Sequence, residues 1–157
     1  MVLGLVLCLV LVVFQDLNYR KIHVVLPVLL FLFSIVLFNR KLELKSTIYI
    51  YNILFFVLII GVLVLYMSVK NKRLLNPFKH YFGLGDLLFF LGVTPLFLTY
   101  NFVLFFILSM VFSLLLQLMI QKKKEDKTIP LAGYSALLLL LFIGKDLLLH
   151  YNKITIL

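Results

Sequence analysis

Acidic residues are scarce in this chain. Six Asp and Glu stand against 15 Lys and Arg in 157 residues, for a net charge of +9. Cysteine is scarcer still: Cys8 is the only one, which excludes an internal disulfide and a paired-cysteine zinc site and leaves a small buried apolar residue as its expected role. Period-two alternation of apolar and polar residues is also missing, and this excludes a membrane β-barrel. The N-terminal segment has neither a positive leading region nor an Ala-x-Ala site, so it reads as a retained first span and not as a removed signal. No internal repeat and no soluble domain stand out. The excess of positive charge does not read as a nucleic-acid signal, because Lys and Arg cluster in short breaks between apolar runs, as in the loops of membrane proteins.

What the chain has in abundance is apolar surface. Its hydrophobic fraction is 64% and its mean hydropathy +1.19, well above the roughly 45–50% apolar content of soluble domains. These values predict one all-α, polytopic membrane domain over residues 1–157. Met1 to about Tyr19 gives a first span of about 28 Å at 1.5 Å per residue. The second is expected from about Ile22 to Phe38, with Pro27 tolerated in its first turns, and the third from Thr47 to Val69. The apolar stretch from Gly85 to Gln121 would be roughly 55 Å long as one helix, nearly twice the hydrocarbon thickness. It therefore folds back, with the turn expected at Thr99-Tyr100-Asn101. A last span runs from about Ile129 to Leu149, making six.

Positive charge sets the expected sidedness. The first, third and fifth connections hold ten of the 15 cations: Arg20 and Lys21, four between Lys70 and Lys79, and four between Lys122 and Lys127. Arg40, Lys41, Lys45, Lys145 and Lys153 fall on the other side. The positive-inside rule then puts both termini outside and the odd connections in the cytoplasm. Beyond setting topology, these loops are expected only to touch anionic lipid headgroups.

Few acids remain to carry chemistry. Glu43, Glu125 and Asp126 lie in charged loops, and Asp146 adjoins Lys145 near the outer end of the last helix, where a local pair or snorkelling accounts for it. Asp16 is the only acid before Glu43 and closes the first apolar segment. Asp86 ends Gly83-Leu-Gly-Asp86 and precedes an uncharged stretch from Leu87 to Gln121. Each has a plain structural account: Asp16 can pair with Arg20 at i+4, and Asp86 can cap a helix. Two intervening spans, however, return the chain to the same face, so both carboxylates are expected at the cytoplasmic edge. Carboxylates there are a functional hypothesis by default. Gly83 and Gly85 are expected to support them by adopting backbone conformations that other residues avoid and by letting an extended peptide approach.

These blocks resemble the prepilin peptidase family of GxGD membrane aspartyl proteases. Asp16-Leu-Asn-Tyr-Arg-Lys-Ile22 is similar to the family's first Asp block, Gly83-Leu-Gly-Asp86 to its second, and Lys127-Thr-Ile-Pro130-Leu-Ala-Gly to the segment opening its last core helix. The sequence departs from the pattern at His23, where the family has Pro, at Leu88, where Lys is frequent, and in lacking a second Pro in the final block. The cysteine-bearing insert of members that also methylate their product is absent, so no methyltransferase activity is expected. Presenilin-like proteases share GxGD but pair it with an Asp on the preceding helix, and Thr47 to Val69 contains none.

The resemblance implies a peptidase in a bacterial or archaeal plasma membrane, with Asp16 and Asp86 catalytic at the cytoplasmic face. Its substrate would be a pilin-like precursor, cleaved between a short leader and an apolar helix, without metal or cofactor. One carboxylate would act as general base on water while the other, protonated, polarises the scissile carbonyl. Helix polarity casts Asp86, at a helix start, as the base and Asp16, in a last turn, as the holder of the shared proton. The rival readings are a proton- or ion-coupled transporter, which would carry acids at the midplane and broken helices, and a non-catalytic assembly subunit. His23, His80 and His150 fall near helix ends and read as interfacial.

Overall fold

The computed structural model describes residues 1–41, 47–71, 83–120, 129–149 and 155. Among these the secondary structure is entirely helical: α1 (Val2–Tyr19), α2 (Val25–Lys41), α3 (Thr47–Asn71), α4 (Leu84–Val93), a 3-10 turn (Thr94–Leu96), α5 (Thr99–Ile120) and α6 (Leu131–Leu149). Helices α1, α3, α5 and α6 are long and apolar enough to cross a membrane, whereas Val25–Asn39 and Leu84–Leu96 are shorter apolar helices. A helix satisfies its backbone polar groups internally, which is why uniformly apolar runs adopt it.

The second helix begins at Val25, later than the expected Ile22. Arg20 takes a left-handed conformation (φ 54°, ψ 25°) and donates its backbone N–H to the Asp16 carbonyl at 3.1 Å. The His23 N–H then donates to Gln15 Oε1 at 3.0 Å. Residues spent on this turn are unavailable to α2.

The break in the long apolar stretch falls at Thr94–Leu98 and not at Thr99-Tyr100-Asn101, since Thr99 already opens α5. Pro95 dictates the position. It has no N–H to continue the α4 ladder, and Phe97 is extended (φ −130°, ψ 144°). The carbonyls released at the break are satisfied from another helix. Buried Asn52 of α3 donates Nδ2 to both Thr94 O and Phe97 O, each at 2.8 Å.

Packing draws α1 against α6 and α2, α2 against α4, and α5 against α6, while α3 leans on α5 and the 3-10 turn. A Cβ on Gly92 would lie 2.8 Å from the Pro27 carbonyl, so glycine sets the close approach of α4 to α2. Phenylalanines fill the space around the break, with Phe97 stacked on Phe105 at 4.7 Å. Apolar side chains cover the outside of the molecule as well as filling its core. Asp16, Ser34, Asn52, Ser109 and Ser113 are buried, while Leu3, Val69, Met119 and Leu148 point outward at 73–85% exposure. Large apolar patches on an outer surface mark contact with something apolar.

Candidate functional site

Three helix ends meet at one end of the bundle. Asp16 lies in the last turn of α1 and is buried, with 6% of its surface exposed. Asp86 lies in the first turn of α4 and is half-buried. Between them comes the N-terminus of α6. The Ala132 N–H donates to Asp86 Oδ1 at 2.8 Å, and the Gly133 N–H donates to Asp16 Oδ2 at 2.6 Å. The fold thus brings the two predicted carboxylates together on consecutive amides of a third helix, with Asp86 in the electrostatic reach of Asp16.

The N-terminus of α6 explains the geometry. The first four N–H groups of a helix have no partner within it. Here Leu131 donates to Ile129 O at 2.9 Å, Tyr134 donates to Pro130 O at 3.1 Å, and the two between them reach the carboxylates. Pro130 suits this position, because a helix start does not require its missing N–H. Gly133 is needed for space: a Cβ there would lie 3.1 Å from both Cβ and Oδ2 of Asp16.

The other two site glycines also act through space and not, as the sequence led us to expect, through unusual backbone angles. No glycine among the described residues has a positive φ. Gly83 is the N-cap of α4 (φ −66°, ψ 136°), so Asp86 is the third helical residue and not the cap itself. A Cβ on Gly83 would lie 2.8 Å from Asp86 Oδ2, and one on Gly85 would lie 3.2 Å from Ile22. The Gly83 backbone N–H further supports the Asp86 carboxylate, which is half of a capping box.

Beside the carboxylates opens a cleft of about 340 Å³, lined by Asp16, Arg20, Lys21, Ile22 and Gly83–Asp86. Its size lies at the lower end of the range of small-molecule pockets, about 300–1,000 Å³. No group of three or more metal-ligating side chains occurs among the described residues. The chain matches no family model, no curated protein and no solved structure. The geometry of the two carboxylates therefore carries the functional reading.

Ala132 and Gly133 are the site residues that residue chemistry missed, because they act through backbone atoms. The Ile129-Pro130 start of α6 was the available signal. Both carboxylates also sit at the N-terminal end of α6, a third helix dipole that favours the anion of either acid. Asp146 makes the expected local pair with Lys145. It is buried at 2% exposure, and its Oδ2 accepts both the N–H and the Oγ1 hydroxyl of Thr155 at 2.7 Å, with Lys145 Nζ 3.9 Å from Oδ1. A carboxylate held in this way does not snorkel. His23 is exposed beside the α1–α2 turn, and Glu43, His80, Glu125, Asp126 and His150 lie outside the described residues.

Proposed function

We propose that this chain is a membrane aspartyl endopeptidase of the prepilin peptidase type, with Asp16 and Asp86 as its catalytic pair and Gly83 and Gly85 as their supporting loop. The observation that carries the reading is the convergence of two carboxylates, distant in sequence, onto adjacent amides beside an open cleft. Capping α6 alone would be served by neutral Ser, Thr or Asn side chains. Two carboxylates placed side by side repel one another unless they share a proton, and a shared proton is what the chemistry uses.

In the proposed reaction the ionised carboxylate takes a proton from water as its oxygen attacks the scissile carbonyl carbon. The protonated carboxyl gives its proton to the carbonyl oxygen. The resulting gem-diol collapses: the first carboxyl, now protonated, donates to the leaving nitrogen, the second recovers a proton from the diol, and the C–N bond breaks. One carboxylate and one carboxyl are restored, so no metal or cofactor takes part.

The chain would lie in a bacterial or archaeal plasma membrane with six spans, both termini outside and the cleft facing the cytoplasm. The distribution of Lys and Arg supports this orientation. Leu84–Leu96 would be only about 21 Å long, short of a hydrocarbon core of about 30 Å. Asp86 would then stand slightly below the cytoplasmic surface, level with the junction between a soluble leader and an apolar helix. A pilin-like precursor has that form. A transporter is less well supported: the helix break at Thr94–Leu98 is sealed by Asn52 and phenylalanines, and both site acids sit at helix ends.

Co-expression with pilin-like precursors, read by intact mass, tests the proposal. Loss of the leader with an unmethylated new N-terminus is expected. Precursors left intact by the wild-type chain, under conditions where a control prepilin peptidase processes them, would leave the assembly-subunit reading standing.

A further inference from the structure

Building on the peptidase reading, we infer that the first turn of α6 positions the catalytic pair, with Ala132 and Gly133 as positioning residues acting through their backbone N–H groups. Successive N–H groups of a helix all face its N-terminus but lie about 100° apart around its axis. Consecutive amides therefore open beside two different neighbours, and here those are α4 and α1. The 2.8 Å and 2.6 Å contacts fix one oxygen of each carboxylate: Oδ1 of Asp86 and Oδ2 of Asp16.

This division bears on the shared proton. An oxygen that accepts an amide N–H is a poor place for it, because the amide favours negative charge at that atom. On Asp16 the proton is therefore left to Oδ1. Asp86 Oδ2 lies over Gly83, where a Cβ would come within 2.8 Å of it, and the Gly83 N–H supports that carboxylate as well. Gly83 thus leaves room beside the carboxylate of one acid, and Gly133 makes room for the anchored oxygen of the other. A rigid helix start holding both acids at once provides preorganisation that neither α1 nor α4 supplies alone.

The test perturbs one of the two contacts at a time in the whole chain in nanodiscs. Ala132→Pro deletes the donor to Asp86 at a helix position where proline is tolerated. Where that variant fails to accumulate, an ester linkage in place of the Ala132 amide deletes the same donor without added bulk. Gly133→Ala displaces Asp16. On a precursor peptide, a 10- to 100-fold fall in kcat with KM within threefold is expected for each, in line with the loss of one charge-assisted hydrogen bond. In the donor-deleted variant the acid limb of the pH–rate profile moves upward by about one unit, because the carboxylate loses a group that favours its ionised form. Partial misfolding would lower kcat and leave the profile unmoved.

Infrared titration of carboxyl bands, with ¹³C-labelled Asp and no substrate, reads the same clamp independently of turnover. Assigned with Asp16→Asn and Asp86→Asn, the Ala132 variant is expected to perturb the Asp86 band and the Gly133 variant the Asp16 band. Bands and pH profiles that superimpose on the wild type would overturn the inference even if the chain is a peptidase. Shifted bands in a protein that cleaves no precursor would uphold the clamp and reject the peptidase reading.

Discussion

The Gly133 N–H donates to Asp16 Oδ2 across 117 positions of sequence, at 2.6 Å. This contact joins the end of the first helix to the start of the last. Together with the Ala132–Asp86 bond it turns two isolated acids into a pair. An amidated side chain preserves the size of either acid but not its ability to carry and share a proton.

Asp16→Asn and Asp86→Asn are therefore each expected to reduce precursor cleavage to background while leaving the protein in the membrane. The double variant is expected to be no worse than either single one, because the two groups act as a unit. Purified single variants assayed on one precursor peptide check this. Wild-type turnover by either would eliminate the two-carboxylate mechanism.

Single cysteines introduced at Lys21, Lys72 and Lys124 are expected to react with impermeant reagents only from the cytoplasm, and one at Lys41 only from outside. Native Cys8 is buried and contributes little background. Labelling of positions 41 and 72 from the same side of the membrane would refute the six-span arrangement.

Asn52→Ala removes both donors to the carbonyls at the α4–α5 break. A loss of about 2 kcal/mol is expected, from two hydrogen bonds worth about 1 kcal/mol each. Asn52→Asp is expected to cost more, since it turns an acceptor toward two acceptors. Reversible unfolding in mixed micelles measures the series. Equal stability of the wild type and Asn52→Ala would show that the break holds without its cap.

Gly92→Val introduces atoms where a Cβ alone meets the Pro27 carbonyl at 2.8 Å. Overpacking of this kind costs about 1–3 kcal/mol. Because α4 carries Asp86, cleavage is expected to fall along with stability. Unchanged melting and unchanged turnover would mean that the α2–α4 contact has no bearing on the site.

Much of this molecule was legible in its sequence, for physical reasons that act locally. Continuous apolar runs demand internally satisfied backbones, so the helices and the limits of α1, α3 and α6 followed within a few residues. The rarity of acids made Asp16 and Asp86 conspicuous, because a lone carboxylate beside an apolar stretch is costly. The break in the long apolar stretch falls at Pro95, which lacks an N–H to continue the helix, and not at the polar Thr99-Tyr100-Asn101. The partner that seals the break, Asn52, lies on another helix and leaves no local trace. Tertiary structure alone decided which groups hold the two acids. Backbone amides have no residue-type signature, and the pairing of Ala132 and Gly133 with Asp86 and Asp16 depends on three helix ends converging. The same convergence sets a third dipole beside both acids, and a carboxylate responds to every dipole within reach and not only to that of its own helix.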